Sequence, residues 1–322
     1  MPKSRALEET LESLQRLRQA GPSSQAVAEL RRILAGKSSH AAATAARIAA
    51  EFEDQQLMPD LVAAFERFMV NPVKSDPTCS AKTAIANALY GLGYDGEALF
   101  LRGIHHVQME PVYGGKVDTA GALRGVCALG LVRMNYHDVM SELAELLADP
   151  EPPVRIAAAR ALTYSENEQG VPLLRLKVLS GDDDGQVIAE CLGSLMQLAP
   201  AASLDFVARR LDAKDTATRE AAALALGGSR RREAFEVLRQ WWDRTPEPDL
   251  RRTALLAMAM LKHDEPIDFL IALVAEANGP TARDAIAALA LYRHDAALCE
   301  RVRQTAAQRD DVDLTAALAE MS

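Results

Sequence analysis

The chain has 322 residues, 49% of them hydrophobic but only 5% aromatic, so its core draws on alanine and leucine rather than rings, a composition that favours stacked helices. With 36 Lys+Arg against 45 Asp+Glu the formal net charge is −9, which excludes a globally basic nucleic-acid binder. No run of 18 apolar residues occurs, and the first twenty residues carry charges where a signal peptide needs an apolar stretch; neither spanning nor export is expected, and the expected location is cytoplasmic.

In chain order, Ser4–Gln19 reads as an amphipathic helix through Leu7, Leu11, Leu14 and Leu17, stopped by Gly21-Pro22, so residues 1–24 are expected to cap the stack of repeats. Residues 25–135 read as irregular repeats, with Ala-rich second helices ending at Leu89 and Leu129, a spacing of 40. The extra length falls between two helices at Glu110–Lys116, and the preceding unit has a long connection of its own at Asn71–Pro77. Residues 136–322 are regular: Ala-rich segments end at Leu162, Leu195, Leu226, Met258 and Leu289, spaced 33, 31, 32 and 31. Each is preceded by a helix of apolar periodicity (Leu143, Leu146, Leu147; Leu204, Val207, Leu211; Ile267, Leu270, Ile271, Val274) and by turn formers such as Asp149-Pro150-Glu151-Pro152-Pro153. Strand alternation is absent. The periodicity predicts an all-α, right-handed α-solenoid of stacked antiparallel helix pairs over 1–322, with Leu162, Leu195, Leu226 and Leu289 in one buried column.

The stretch from Asp149-Pro150 through Val154-Arg155 and Ala158 to Ala161-Leu162 resembles the HEAT repeat, in the short bacterial form also found in phycobilin-lyase-type proteins. The resemblance implies a ladder in which an Asp after the first helix meets an Arg early in the second. Arg219, Arg283 and either Arg251 or Arg252 match the Arg position, while Ile188 stands where one repeat should carry it. The resemblance implies a fold rather than a reaction.

The remaining candidates are local. His137-Asp138, His263-Asp264 and His294-Asp295 sit where one repeat ends and the next begins, so their aspartates are expected to cap helices. His106 and Glu110 share a face if the helix persists to Met109, and with His105 and Asp118 they form a candidate metal set. Adjacent Trp241 and Trp242 cannot both face inward on one helix, so one is expected to be partly exposed. The four cysteines form no C-x-x-C pair and read as buried thiols. Residues 206–262 carry 12 Lys+Arg against 8 Asp+Glu, and 138–190 carry 4 against 11; this polarity is thin footing for a phosphate-tracking channel.

These features point to a non-enzymatic scaffold that holds a protein partner, with no membrane, nucleic acid or cofactor expected. Its contact is expected where the two long connections lie side by side, at Lys74, Asp76, His106, Glu110, Tyr113 and Lys116. The alternative is an enzyme or enzyme subunit, bilin-lyase-like or metal-dependent through His105, His106 and Glu110.

Overall fold

The computed structural model describes residues 2–309 together with 314, 317 and 318, and 75% of it is helical. The chain packs as two compact units, residues 1–165 and 166–322. The first holds α1 (Pro2–Ala20), α2 (Ser24–Leu34), α3 (Ser39–Glu51), α4 (Met58–Phe68), a short α5 (Pro72–Ser75), α6 (Ser80–Gly91), α7 (Glu97–Ile104), strands β1 (Met109–Val112) and β2 (Gly115–Asp118), α8 (Gly121–Arg133), α9 (Val139–Leu146) and α10 (Pro152–Tyr164). The second holds α11 (Gly170–Ser180), α12 (Gly185–Leu198), α13 (Pro200–Ala208), α14 (Thr216–Gly228), α15 (Glu233–Arg244), α16 (Pro248–Met260), α17 (Asp264–Glu276), α18 (Gly279–Leu289) and α19 (Ala296–Ala307). Among the described residues these make eight helix pairs, four in each unit, and within each unit the second helices pack in series: α3 on α6 on α8 on α10, and α12 on α14 on α16 on α18.

Local chemistry sets the boundaries. Proline stands in the first turn of α10, α13, α16 and α18, where its missing N–H is not needed. Asp184, Asp215, Asn278 and Asp295 cap α12, α14, α18 and α19 by accepting main-chain N–H bonds. Of the three His-Asp pairs, then, only the one containing Asp295 caps as expected. Asp264 is the first residue of α17 and makes no capping bond, and Asp138, though at the N-cap of α9, accepts from the Ser141 hydroxyl instead.

Alanine in the second helices lets them approach closely. Gly227 carries this furthest, since a Cβ there would lie 2.4 Å from the Ala257 carbonyl oxygen on α16. Leu162, Leu195, Leu226, Met258 and Leu289 are fully buried. Leu226→Ala is therefore expected to lower stability by about 2–5 kcal/mol. Asp264→Ala, with no cap to lose, should stay within about 0.5 kcal/mol. Urea unfolding of the two variants side by side checks the register, and equal losses would refute it.

In the first unit Leu14 of α1 is buried and α1 packs on α3. The polar outer residue Asp310 of the last repeat lies outside the described residues. Trp241 and Trp242 are both buried, against expectation. Trp241 donates its indole N–H to the Leu211 carbonyl, while Trp242 is covered by the Arg251 guanidinium, 4.0 Å from its ring centre, and by the edge of Phe269. A cation and a neighbouring repeat cover the side that one helix leaves open. The arginines of this region are largely matched locally, Arg219 with Glu247, Arg231 with Glu233, Arg239 with Glu236, Arg244 with Asp212 and Arg252 with Asp249.

Candidate functional site

The enlarged connection between α7 and α8 is not a loop but a β-hairpin. Pro111 has no N–H to continue a helix and biases Glu110 to an extended backbone, and α7 already ends at Ile104. The helix does not persist to Met109, and His106 and Glu110 do not share a helix face. β1 and β2 pair antiparallel from Met109↔Asp118 to Val112↔Gly115, leaving Tyr113-Gly114 as a two-residue turn. Gly114 has φ +89, which a side chain would resist. The short strands escape the alternation signal because both faces of the ribbon meet solvent: Met109 near its base and Val112, Tyr113 and Val117 toward its turn are all exposed.

Beneath the hairpin lies a buried polar network that ties the two long connections together. Asp76, fully buried, accepts from the backbone N–H of Ala81 and Lys82 at 2.9 and 3.0 Å and from Lys82 Nζ at 3.0 Å. Gln108 donates from Nε2 to the Asp76 carbonyl at 2.9 Å and to Glu110 Oε1 at 2.6 Å. The same carboxylate oxygen accepts from the Thr78 N–H at 2.6 Å and the Thr119 hydroxyl at 2.9 Å. Partial burial pushes the Glu110 carboxyl up, but bonds from Gln108, Thr119 and Thr78 outweigh it and hold the group below the ordinary carboxylate range. These bonds sustain a strained stretch in which the non-glycine residues Asn71, Thr78 and Cys79 are left-handed, with φ of 49°, 63° and 56°.

The base of the hairpin is clamped from the other side. Asp118 Oδ1 accepts from the N–H groups of Gln108 and Ala120 at 2.9 and 3.0 Å, and its Oδ2 accepts from Arg124 Nη1 at 2.6 Å. Arg124 also donates to the His106 carbonyl at 2.9 Å and to Asp149 Oδ1 at 3.1 Å. Asp76–Lys82, Asp118–Arg124 and Asp149–Arg155 share one spacing of six residues. Arg155 donates to the main-chain oxygens of Asp149 and Pro150, leaving the Asp149 carboxylate to Arg124 of the preceding repeat. Ile188 stands six residues after Asp182, and Asp182 pairs with Lys177 of α11, whose Nζ is 2.7 Å away.

The six residues expected at the contact therefore divide. Lys74, Tyr113 and Lys116 are exposed. Asp76 and Glu110 are spent inside the fold, and His106, half-buried, bonds to Gln108 Oε1 at 3.2 Å. Burial lowers the His106 pKa, so the ring is neutral near pH 7. Asp118 belongs to Arg124 rather than to a metal set with His105, His106 and Glu110. Lys82, Gln108, Thr119 and Arg124 went unread in the sequence, although the six-residue spacing seen at Asp149–Arg155 would have found Lys82 and Arg124. All four cysteines are buried and free; burial pushes Cys79 up to about 11 and Cys191 to about 12, so neither is a thiolate at neutral pH. Among the described residues no helix is long and apolar enough to cross a membrane.

Serial helix pairs, Ala-rich second helices and an Asp-to-base ladder define an all-α helical-repeat protein. The HEAT-repeat family matches residues 139–226, 172–259 and 203–291 in overlapping copies, so the repeats from 139 to 291 are HEAT repeats. No curated protein matches the chain by sequence. Among solved structures, the chain is similar to the complex of CpcE and CpcF of phycocyanin lyase from Nostoc sp. PCC7120, at 17% identity and TM-score 0.38 over 76% of this chain and 94% of that one. It is also similar to an engineered protein, at 16% identity and TM-score 0.40 over 96% and 93%. A third similarity is to human deoxyhypusine hydroxylase in complex with glycerol, at 19% identity and TM-score 0.33 over 80% and 91%.

Proposed function

We propose that the protein is a non-enzymatic scaffold that holds a partner protein through the hairpin between α7 and α8. The observation that carries this reading is the tip itself. Tyr113 is fully exposed, flanked by exposed Met109, Val112 and Val117, on a ribbon whose base is fixed by buried hydrogen bonds. An apolar projection on a rigid base binds at low entropic cost, and tyrosine is enriched at such contacts. Lys74 and Lys116 are exposed while Asp76 and Asp118 are withdrawn into the fold, so the surface favours a partner segment that is apolar and acidic.

Replacing Pro111–Lys116 with a Gly-Ser link spares Glu110 and Asp118 and should leave the thermal transition nearly intact while abolishing capture of the proteins enriched from native lysate by the unaltered chain. A photo-crosslinking residue at Tyr113 should mark the same partner. An unchanged set of captured proteins would move the contact to the second-helix surface, where Leu224 and Leu256 are exposed on α14 and α16.

A further inference from the structure

One chemical grouping in the first unit plays no part in the hairpin network. His105 ends α7, and its ring meets Glu142 and Glu145, which stand one turn apart on α9. One ligand atom from each of the three lies within 4.8 Å of the other two. His105 Nε2 and Glu142 Oε2 are 3.0 Å apart, yet that oxygen is closed to water and accepts no hydrogen bond. The imidazole nitrogen and the carboxylate oxygen face each other without the alignment of a donated proton, which is how two donors to one cation stand.

Apart from His105, no cationic side chain among the described residues faces the two glutamates. Among the described residues neither Glu142 nor Glu145 forms an ion pair with a lysine or arginine, unlike Asp76, Asp118 and Asp149 of the ladder. A buried carboxylate oxygen without a hydrogen-bond donor, beside a second carboxylate and an imidazole nitrogen, calls for a cation.

We infer that His105, Glu142 and Glu145 form a binding site for a divalent transition-metal ion of the zinc class. One imidazole and two carboxylates supply three ligands, and solvent completes the sphere from the exposed side of His105, where water has access. Because α7 and α9 belong to successive repeats, the ion pins the helix that precedes the hairpin to the next repeat. The site is separate from the proposed protein contact: His105 precedes the first strand by four residues, Glu142 and Glu145 stand on α9, and no ligand comes from the hairpin.

The test uses the full chain stripped with a chelator and titrated with zinc by calorimetry. The expected result is one zinc per chain, with binding at least tenfold weaker in His105→Asn and in Glu142→Gln, and unchanged in His106→Asn. Zinc should raise the melting temperature of the unaltered chain and leave that of His105→Asn where it is. Cobalt(II) should develop visible absorption bands in the unaltered chain and none in Glu142→Gln. Thermal transitions of the metal-free variants show that they are folded. Equal zinc binding by His105→Asn, no binding by the unaltered chain, or an equal response to magnesium, which has little use for imidazole, would each overturn the assignment. Loss of binding in His106→Asn would overturn it in favour of a site on the hairpin side.

Discussion

Arg124→Ala is expected to lower the stability of the first unit by about 3–5 kcal/mol, the range found when one member of a buried charged group is removed. The guanidinium is 3% exposed and sits between two carboxylates, Asp118 at 5% and Asp149 at 10%. Alanine would leave both acids in a poorly solvated space facing each other across the cavity, and would also free the His106 carbonyl. The pH dependence arises from Asp118. Burial pushes its carboxyl up, but the N–H groups of Ala120 and Gln108 and the guanidinium of Arg124 outweigh this and hold it below the ordinary carboxylate range. A folded-state pKa below the unfolded one contributes stability that is fully present above about pH 4 and is lost as the pH falls through the folded value. Urea midpoints should therefore drop on acidification below about pH 4 in the unaltered chain and drop less in Arg124→Ala, which has already lost the guanidinium's share of that contribution while keeping the N–H bonds of Ala120 and Gln108. A loss under about 1 kcal/mol at pH 7 would mean that the charges are better hydrated than their burial implies.

The helix pairs were legible in the sequence because two independent signals recur at the repeat length: the Ala-rich segments ending at Leu162, Leu195, Leu226, Met258 and Leu289, and the turn residues between helices. The hairpin was not legible. A four-residue strand contributes two residues to each face, and at Met109–Val112 one position is taken by Pro111 and another by Glu110, which turns inward to Thr78 and Thr119. The remaining signal was Tyr113-Gly114-Gly115 between two extended segments, which marks a turn without saying what flanks it.

The meeting of the two long connections was legible, but the chemistry between them was not. The length of the two connections set them apart from the regular repeats, and Gln108 and Glu110 do join them. Which charges face out depended on the ladder. Asp76 and Asp118 look like surface acids in long loops until each is matched with a base six residues on, Lys82 and Arg124, in the register of Asp149 and Arg155. A ladder normally written with arginine hides when one rung is a lysine and the repeat around it is lengthened. The paired tryptophans failed for a related reason: helix geometry fixes the direction of a side chain, while the neighbouring repeat decides whether that direction is solvent.

The lysine rung gives the second large effect. Lys82 and Asp76 are both fully buried, and beyond Asp76 the ammonium group reaches only the Phe68 carbonyl, at 3.4 Å. Lys82→Met should cost about 3–5 kcal/mol because it strands a carboxylate, and Asp76→Asn should cost a comparable amount because it strands an ammonium group. The double variant Asp76→Asn/Lys82→Met should cost less than either single change. Asparagine still offers an oxygen to the Ala81 N–H, methionine fills the lysine's volume, and no bare charge remains. Additive losses in the double variant would show that the two groups do not act as a pair. The same cycle bears on the hairpin, since Asp76 fixes the connection whose carbonyl receives Gln108, and Gln108 in turn holds Glu110. Capture of the partner should therefore weaken in Lys82→Met and recover in the double variant, tracking the loop's order rather than its charge.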